Sequence, residues 1–228
     1  MKKILLGTLA ISLILFSCKG GEKKAQQAEQ PEQAQQAEPQ KPAKLFNTDS
    51  LGTEPQFDIV TSLGTIRIKL YEDTPKHKKN FIRLASEGYF DGMQFHRVIN
   101  NFMIQTGDPY TKYSETEYPQ AYQSYGTGGP GYTIPAEIVN THKHKKGALA
   151  AARKGDTSNP EKASSGSQFY IVQSEQSCKQ LDGDYTVFGE TVKGFEVIDK
   201  IAKVPTGARK QDLPNQPVKI ISVRPAAD

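Results

Sequence analysis

The stretch Phe95-His96-Arg97-Val98-Ile99-Asn100-Asn101-Phe102-Met103-Ile104-Gln105-Thr106-Gly107-Asp108 decides how the rest of the chain is read. It contains two β-rich runs, 95–99 and 102–105. Along the first, the alternation of a strand puts Arg97 on the same face as Phe95 and Ile99. An arginine on a strand is ordinarily one half of a surface ion pair, and Phe102 and Met103 alone would be ordinary core residues. Together they place a permanently charged fan of fixed donors beside apolar side chains.

Outward from this stretch the two-residue period recurs. Ile66, Ile68 and Leu70 alternate with Arg67 and Lys69, the pattern of a half-buried strand, and 57–61 precedes it across Ser62-Leu63-Gly64 as the other arm of a hairpin. Further β-rich runs lie at 148–152, 169–172, 186–189 and 218–223. Thr74 and Pro75 supply an N-cap and a first-turn proline, Phe81, Leu84 and Ala85 recur at helical spacing, and Gly88 stands where a helix ends. The spacing predicts a helix over 75–87 and a second over 195–202. Many short strands with two helices predict a mainly-β domain, a closed eight-stranded antiparallel barrel capped by those helices.

Ahead of the domain, Lys2 and Lys3 precede an uncharged, mostly apolar run of 13 residues, 4–16, and then Ser17 and Cys18. A bilayer-spanning helix needs about 20 apolar residues, so 1–17 reads as an export signal. Leu15-Phe16-Ser17-Cys18 resembles the lipobox of bacterial lipoproteins, which implies acylation of Cys18 and cleavage before it. Two or more acyl chains hold a protein stably at a membrane. Lys19 stands in place of the Asp that retains some lipoproteins in the inner membrane, so an outer-membrane anchor in the cell envelope is expected, on the periplasmic face or the cell surface. Residues 25–44 hold seven Gln, five Ala, three Glu, three Pro and two Lys, with no aromatic or β-branched side chain. Such a segment buries too little apolar surface to offset its chain entropy. Residues 18–44 therefore read as a lipidated tether and 45–228 as the folded domain. With Cys18 lipidated, Cys178 has no disulfide partner and is expected as a small core residue.

The 228 residues carry a formal charge of +4, with 36% apolar residues, two Cys and no Trp. Two cysteines exclude a disulfide-dense scaffold, and a mean hydropathy of -0.59 excludes a multi-span membrane protein. Most of the positive excess lies outside the domain: the leader holds +2 and 19–44 holds +1, leaving +1 from 22 basic and 21 acidic residues. A domain so near neutrality gives no support to nucleic-acid binding.

The stretch at 95–108 is similar to a phrase of the cyclophilin peptidyl-prolyl isomerases, matching all but one of its fixed positions. Three more phrases follow in the family's order: Gly126-Thr127-Gly128-Gly129, then Ser165-Gly166-Ser167-Gln168-Phe169-Tyr170-Ile171, then Leu181-Asp182-Gly183 leading to Val187-Phe188-Gly189. The resemblance covers 57–223 and implies the cyclophilin-like barrel, no cofactor, a monomer, and proline-containing segments of envelope proteins as partners. It implies that Arg97 is the catalytic arginine, that Phe102, Met103, Tyr170 and Leu181 form the proline pocket, and that Gln105 and Gln168 hold the substrate backbone. His96 and Ile99 belong to the same phrase and Tyr185 to the pocket rim. Gly126, Ala152 and Arg153 fall where the family contacts the residue before proline.

The chemistry is also accessible from the side chains. Rotation about a peptide bond has a barrier of about 18–20 kcal/mol because the nitrogen lone pair is delocalised into the carbonyl. Before proline, cis and trans differ by only about 0.5–1 kcal/mol, so a catalyst has only to speed exchange and needs no nucleophile. A donor that bonds the pyramidal nitrogen of the twisted state does this, and Arg97 is the candidate. An apolar wall strips water from the planar amide's dipole.

The sequence departs from the family pattern at three places. Arg153 replaces an Asn, and its added charge is expected to favour acidic residues near the proline. Thr106 replaces a Gly and is expected to alter the turn after Gln105. Gln180 replaces a Trp that binds cyclosporin in many eukaryotic relatives, which predicts weak cyclosporin binding. Residues 109–125 are longer than in minimal relatives and carry five tyrosines, as either a substrate-selecting loop or a surface insertion. His142-Lys143-His144-Lys145-Lys146 lacks nearby Cys or carboxylates and reads as a solvated loop with no metal site. Ser165-Gly166-Ser167 is not the nucleophile elbow of a hydrolase. The alternatives to an isomerase are a proline-segment binding module of the same fold and a structural lipoprotein.

Overall fold

The alternation at 57–70 builds the hairpin of β1 (Gln56–Thr61) and β2 (Gly64–Leu70), in which Ile59 lies opposite Ile66 and Phe57 opposite Ile68. All four are fully buried, so one face of the hairpin is core while Arg67 and Lys69 occupy the other. The other strands are β3 (Arg97–Ile99), β4 (Met103–Thr106), β5 (Thr133–Ile134), β6 (Ala148–Arg153), β7 (Ser164–Val172), β8 (Val187–Lys193) and β9 (Ile220–Pro225). The computed structural model describes residues 43–227. The signal segment 1–17, Cys18 and the tether up to Pro42 lie outside the described residues. No helix among the described residues is long and apolar enough to cross a membrane.

Eight strands follow one another in the antiparallel order β3-β4-β7-β6-β8-β2-β1-β9, and the short β5 pairs with β7 beside them. This is a mainly-β fold, but the expected closed barrel is corrected to a curled, open half-barrel. The ladder ends at β3 on one side and β9 on the other. Between them, the irregular chain ahead of β3 bonds to the start of β9 and the residues leading into it: Phe95 N donates to the Val218 carbonyl at 2.9 Å, Ile220 N to that of Met93 at 2.7 Å, and Gln94 bridges Lys219. The physical reason is that the outer edge of β3 is already taken, since Val98 N donates to the Asp212 carbonyl at 2.8 Å.

The two-helix cap is corrected as well. Among the described residues there are four α-helices, α1 (Pro75–Ser86), α2 (Pro119–Gln123), α3 (Glu175–Cys178) and α4 (Phe195–Ala202), the middle two being single turns. Helix α1 turns Phe81, Leu84 and Ala85 inward, and Phe81 meets Phe57, Phe90, Phe169 and Phe188 with ring centroids 5.1–6.1 Å apart. Thr74 does not cap this helix, because its side chain makes no cap bond. The carboxylate of Glu137 does so instead, accepting from Lys76 N and His77 N at 2.9 Å each.

The sheet separates two apolar clusters by strand parity. Val98, Ile104, Leu149, Ala151, Phe169 and Ile171 point into the main core with the β1–β2 residues. Met103, Ala148, Ala150, Ala152, Tyr170 and Val172 form a second cluster on the opposite face. On that second face β6 contributes only alanines, so the sheet there is covered thinly. The functional cleft lies over it.

Candidate active site

Strand register sets the first row of the site. Arg97 lies opposite Gln105, Gln105 opposite Tyr170, and Tyr170 opposite Ala150, so four neighbouring strands present one line of side chains on one face. A cleft of about 580 Å³ opens above this line. His96, Arg97, Phe102, Met103, Gln105, Gly126, Ala152, Arg153, Tyr170, Leu181 and Tyr185, all expected at the site, line it. Ile99 and Gln168 do not. Ile99 pairs with Met103 across the β3–β4 ladder and packs against the second cluster, and Gln168 stands behind Gln105.

Arg97 enters from the open edge, with its side chain 44% exposed and its guanidinium carbon 5.9 Å from the Phe102 ring centroid. Asp212 Oδ2 lies 3.7 Å from its Nε. Met103 and Tyr170 are buried floor residues, and Phe102, Leu181 and Tyr185 are half-buried around them. The wall opposite is an amide ladder: Gln105 Nε2 donates to Gln168 Oε1 at 3.0 Å, and Gln168 Nε2 donates to the carbonyls of Gly126 at 3.1 Å and Gly128 at 2.8 Å. Gln168 thus engages both ends of its amide inside the protein and positions the wall. Gln105 keeps Oε1 as an acceptor at the cleft. Burial depresses the neighbouring His96 to about 4, although nearby Asp108 acts the other way, so its imidazole is neutral at neutral pH.

Asp108 sets the height of the glycine wall. Fully buried, it accepts from Tyr110 N at 2.8 Å, Gly126 N at 2.6 Å and Gly128 N at 3.0 Å. A Cβ on Gly128 would lie 2.2 Å from Asp108 Oδ1, which is why that position is glycine. Thr106 leaves this turn intact. It continues β4, donates from Oγ1 to the Gln94 carbonyl at 2.9 Å, and leaves the left-handed residue to Gly107, at φ +90°.

Several expectations need correction. Arg153 lines the cleft with its guanidinium already engaged within the protein: its side chain is 4% exposed, pairs with Asp156, donates from Nε to the Asp184 carbonyl at 2.9 Å, and lies 4.4 Å over the Tyr185 ring. His144 is not solvated. It is buried, with Nδ1 2.8 Å from Asp182 Oδ1 and Nε2 2.8 Å from the Tyr170 hydroxyl, a relay that fixes the pocket floor from behind. Burial lowers His144, and for Asp182 the hydrogen bonds from His144 outweigh burial and lower its carboxyl. His142 stacks on Tyr71 with centroids 4.1 Å apart and pairs with Asp73 at 2.7 Å. Cys178 is a buried free thiol, pushed up to about 12 by burial, and its Sγ donates to the Phe102 carbonyl at 3.4 Å. Of the tyrosines at 109–125, Tyr110, Tyr113 and Tyr118 are exposed, Tyr122 is buried, and Tyr125 lines the cleft. Lys210, Gln211, Asp212 and Leu213 also line it and went unnoticed in the sequence, since their loop carries no pattern that points to a site.

An open cleft with an apolar floor, an amide wall and an arginine at its edge has the shape and the donors to take an extended peptide. The family model described as cyclophilin type peptidyl-prolyl cis-trans isomerase/CLD matches residues 56–225, and the chain belongs to this family. A peptidyl-prolyl cis-trans isomerase of Acinetobacter baylyi is 40% identical over 173 residues, covering 73% of this chain and 83% of that protein. One from Helicobacter pylori is 38% identical over 147 residues, covering 63% and 77%. The crystal structure of a Cryptosporidium parvum cyclophilin type isomerase superposes with a TM-score of 0.64 at 29% identity, covering 77% of this chain and 99% of that one.

Proposed function

We propose that this peptidyl-prolyl isomerase turns X-Pro bonds of polypeptides in the bacterial cell envelope, anchored there through Cys18, and works as a monomer. The observation that carries the catalytic part is the placement of Arg97 at the rim of the Phe102, Met103, Tyr170 and Leu181 surface. The pyrrolidine ring sits on that surface, which removes water from one side of the amide and weakens the hydration that favours its planar dipole. As the bond twists, the nitrogen turns pyramidal and accepts a hydrogen bond from the guanidinium, whose charge persists at any working pH. Gln105 Oε1 accepts from a backbone N–H of the segment and fixes its direction. Because the two isomers are nearly isoenergetic, no step requires a cofactor or an energy source. The same C. parvum isomerase was also crystallised in the presence of the dipeptide Ala-Pro.

The test is the exchange rate of a proline peptide with the wild-type chain and with Arg97→Ala. Arg97→Ala is expected to lose about 100-fold in kcat while retaining the fold; an equally active variant would remove Arg97 from the mechanism. The anchor is tested separately by lipid-precursor labelling of wild type and Cys18→Ser followed by membrane fractionation. Label on wild type alone is expected, and label on neither would discard the anchor.

A further inference from the structure

We infer that Asp212 is a positioning residue for Arg97, so that the loop 205–215 belongs to the catalytic apparatus although it carries none of the motifs. The inference rests on the reading of Arg97 as the donor to the substrate nitrogen. Arg97 has a long side chain that is 44% exposed, and an arginine in that situation samples many rotamers unless something defines its direction. Two contacts define it here. The Phe102 ring lies under the guanidinium at 5.9 Å, and the Asp212 carboxylate stands 3.7 Å from Nε. The carboxylate approaches the inner nitrogen and leaves the terminal amino groups to donate.

The backbone shows that Asp212 is held there by several independent means. Its φ is +62°, a left-handed conformation that non-glycine residues seldom adopt and that Asp and Asn tolerate best. Its carbonyl accepts from Val98 N, the residue after Arg97, which ties it to the strand that carries the arginine. The neighbouring Leu213 is 1% exposed, Thr206 bridges Pro214, and Ala208 N donates to Asn215 Oδ1 at 2.9 Å. Lys210 Nζ crosses to the carbonyls of Tyr122 and Gln123, at 3.1 and 3.0 Å, and so fastens the loop to the 109–125 segment. A surface loop with this much internal bracing holds its left-handed residue in one place, and what that residue presents is a carboxylate beside Arg97.

The left-handed backbone makes the test clean, because Asn and Gly both suit that conformation and remove the charge without unseating the loop. Proline-peptide exchange is measured for the wild-type chain, Asp212→Asn, Asp212→Gly, Arg97→Ala and the double variant Arg97→Ala/Asp212→Asn. Both single changes at 212 are expected to lower kcat about 10-fold with KM within about twofold, as loss of orientation does. In the Arg97→Ala background, Asp212→Asn is expected to change nothing further. An Asp212→Asn enzyme with wild-type kcat overturns the inference, as does an equal loss in both backgrounds, which would make Asp212 merely structural. Arg97→Ala as active as wild type would overturn the reading of Arg97 itself, and the inference with it, through a different arm of the experiment.

Discussion

Replacing Asp108 by Ala tests how the cleft wall stands. The carboxylate accepts three backbone N–H bonds, from Tyr110, Gly126 and Gly128, and is itself fully buried. The alanine variant leaves the Gly128 N–H buried with no acceptor and the other two in partly buried surroundings. A buried donor left unpaired costs about 1–3 kcal/mol. One fully buried and two partly buried donors together come to about 3–5 kcal/mol, a large share of the roughly 5–15 kcal/mol that holds a domain. Asp108→Asn should fall between, since it keeps one acceptor oxygen but turns an amide N–H toward a donor. Urea unfolding reads the change as a lower midpoint at unchanged slope. The same variants should raise KM more than they lower kcat, because Gln168 hangs its two bonds on the carbonyls of Gly126 and Gly128. A loss below about 1 kcal/mol in Asp108→Ala would mean that the wall amides have partners other than this carboxylate.

Stability should fall on acidification. Burial depresses His96 from its ordinary 6.5 to about 4, so the folded state resists a proton that the unfolded chain binds. Its contribution is full above pH 6.5 and is lost as pH falls toward 4, up to about 3 kcal/mol. His77 and His144, also lowered by burial, act in the same direction. Urea midpoints between pH 7.5 and 4.5 check this, and a flat profile contradicts it. Tyr170→Phe strips the relay of its hydroxyl and should cost about 1–2 kcal/mol, with a coupling near 1 kcal/mol to His144→Phe in a double-mutant cycle; simple additivity would mean that the two do not act together. Gln180 is exposed and outside the cleft lining, so cyclosporin should inhibit weakly; nanomolar inhibition in the peptide assay would refute this.

Seven of the eight β-rich runs were legible because they alternate or concentrate β-branched and aromatic residues; the eighth, 148–152, is Ala-Leu-Ala-Ala-Ala, an apolar run that becomes a strand because it is buried between β7 and β8. β7 begins at Ser164, well before Phe169, because Ser164 and Ser165 pair with β5, a partner of two residues that no local pattern announces. Openness of the barrel was not legible either, since it depends on the Asp212 carbonyl reaching Val98 N across more than a hundred residues. The same holds for Glu137, which caps a helix sixty residues away. At the site, motif residues were readable one by one. What was not readable is which side chains are engaged within the protein: Arg153, Gln168 and His144 all changed meaning once their partners were placed.

The loop that closes over β3 has a second consequence. A strand edge with unpaired N–H and C=O groups is a template on which any extended chain can add itself. β3 is the outermost strand of the sheet on this side, and it carries Arg97 at the cleft. With Val98 N already bonded to Asp212, that rim offers clients side-chain contacts in the cleft but no free backbone donor at its centre. For another chain to pair with β3 along that rim, the loop would first have to give up its bond to Val98 N.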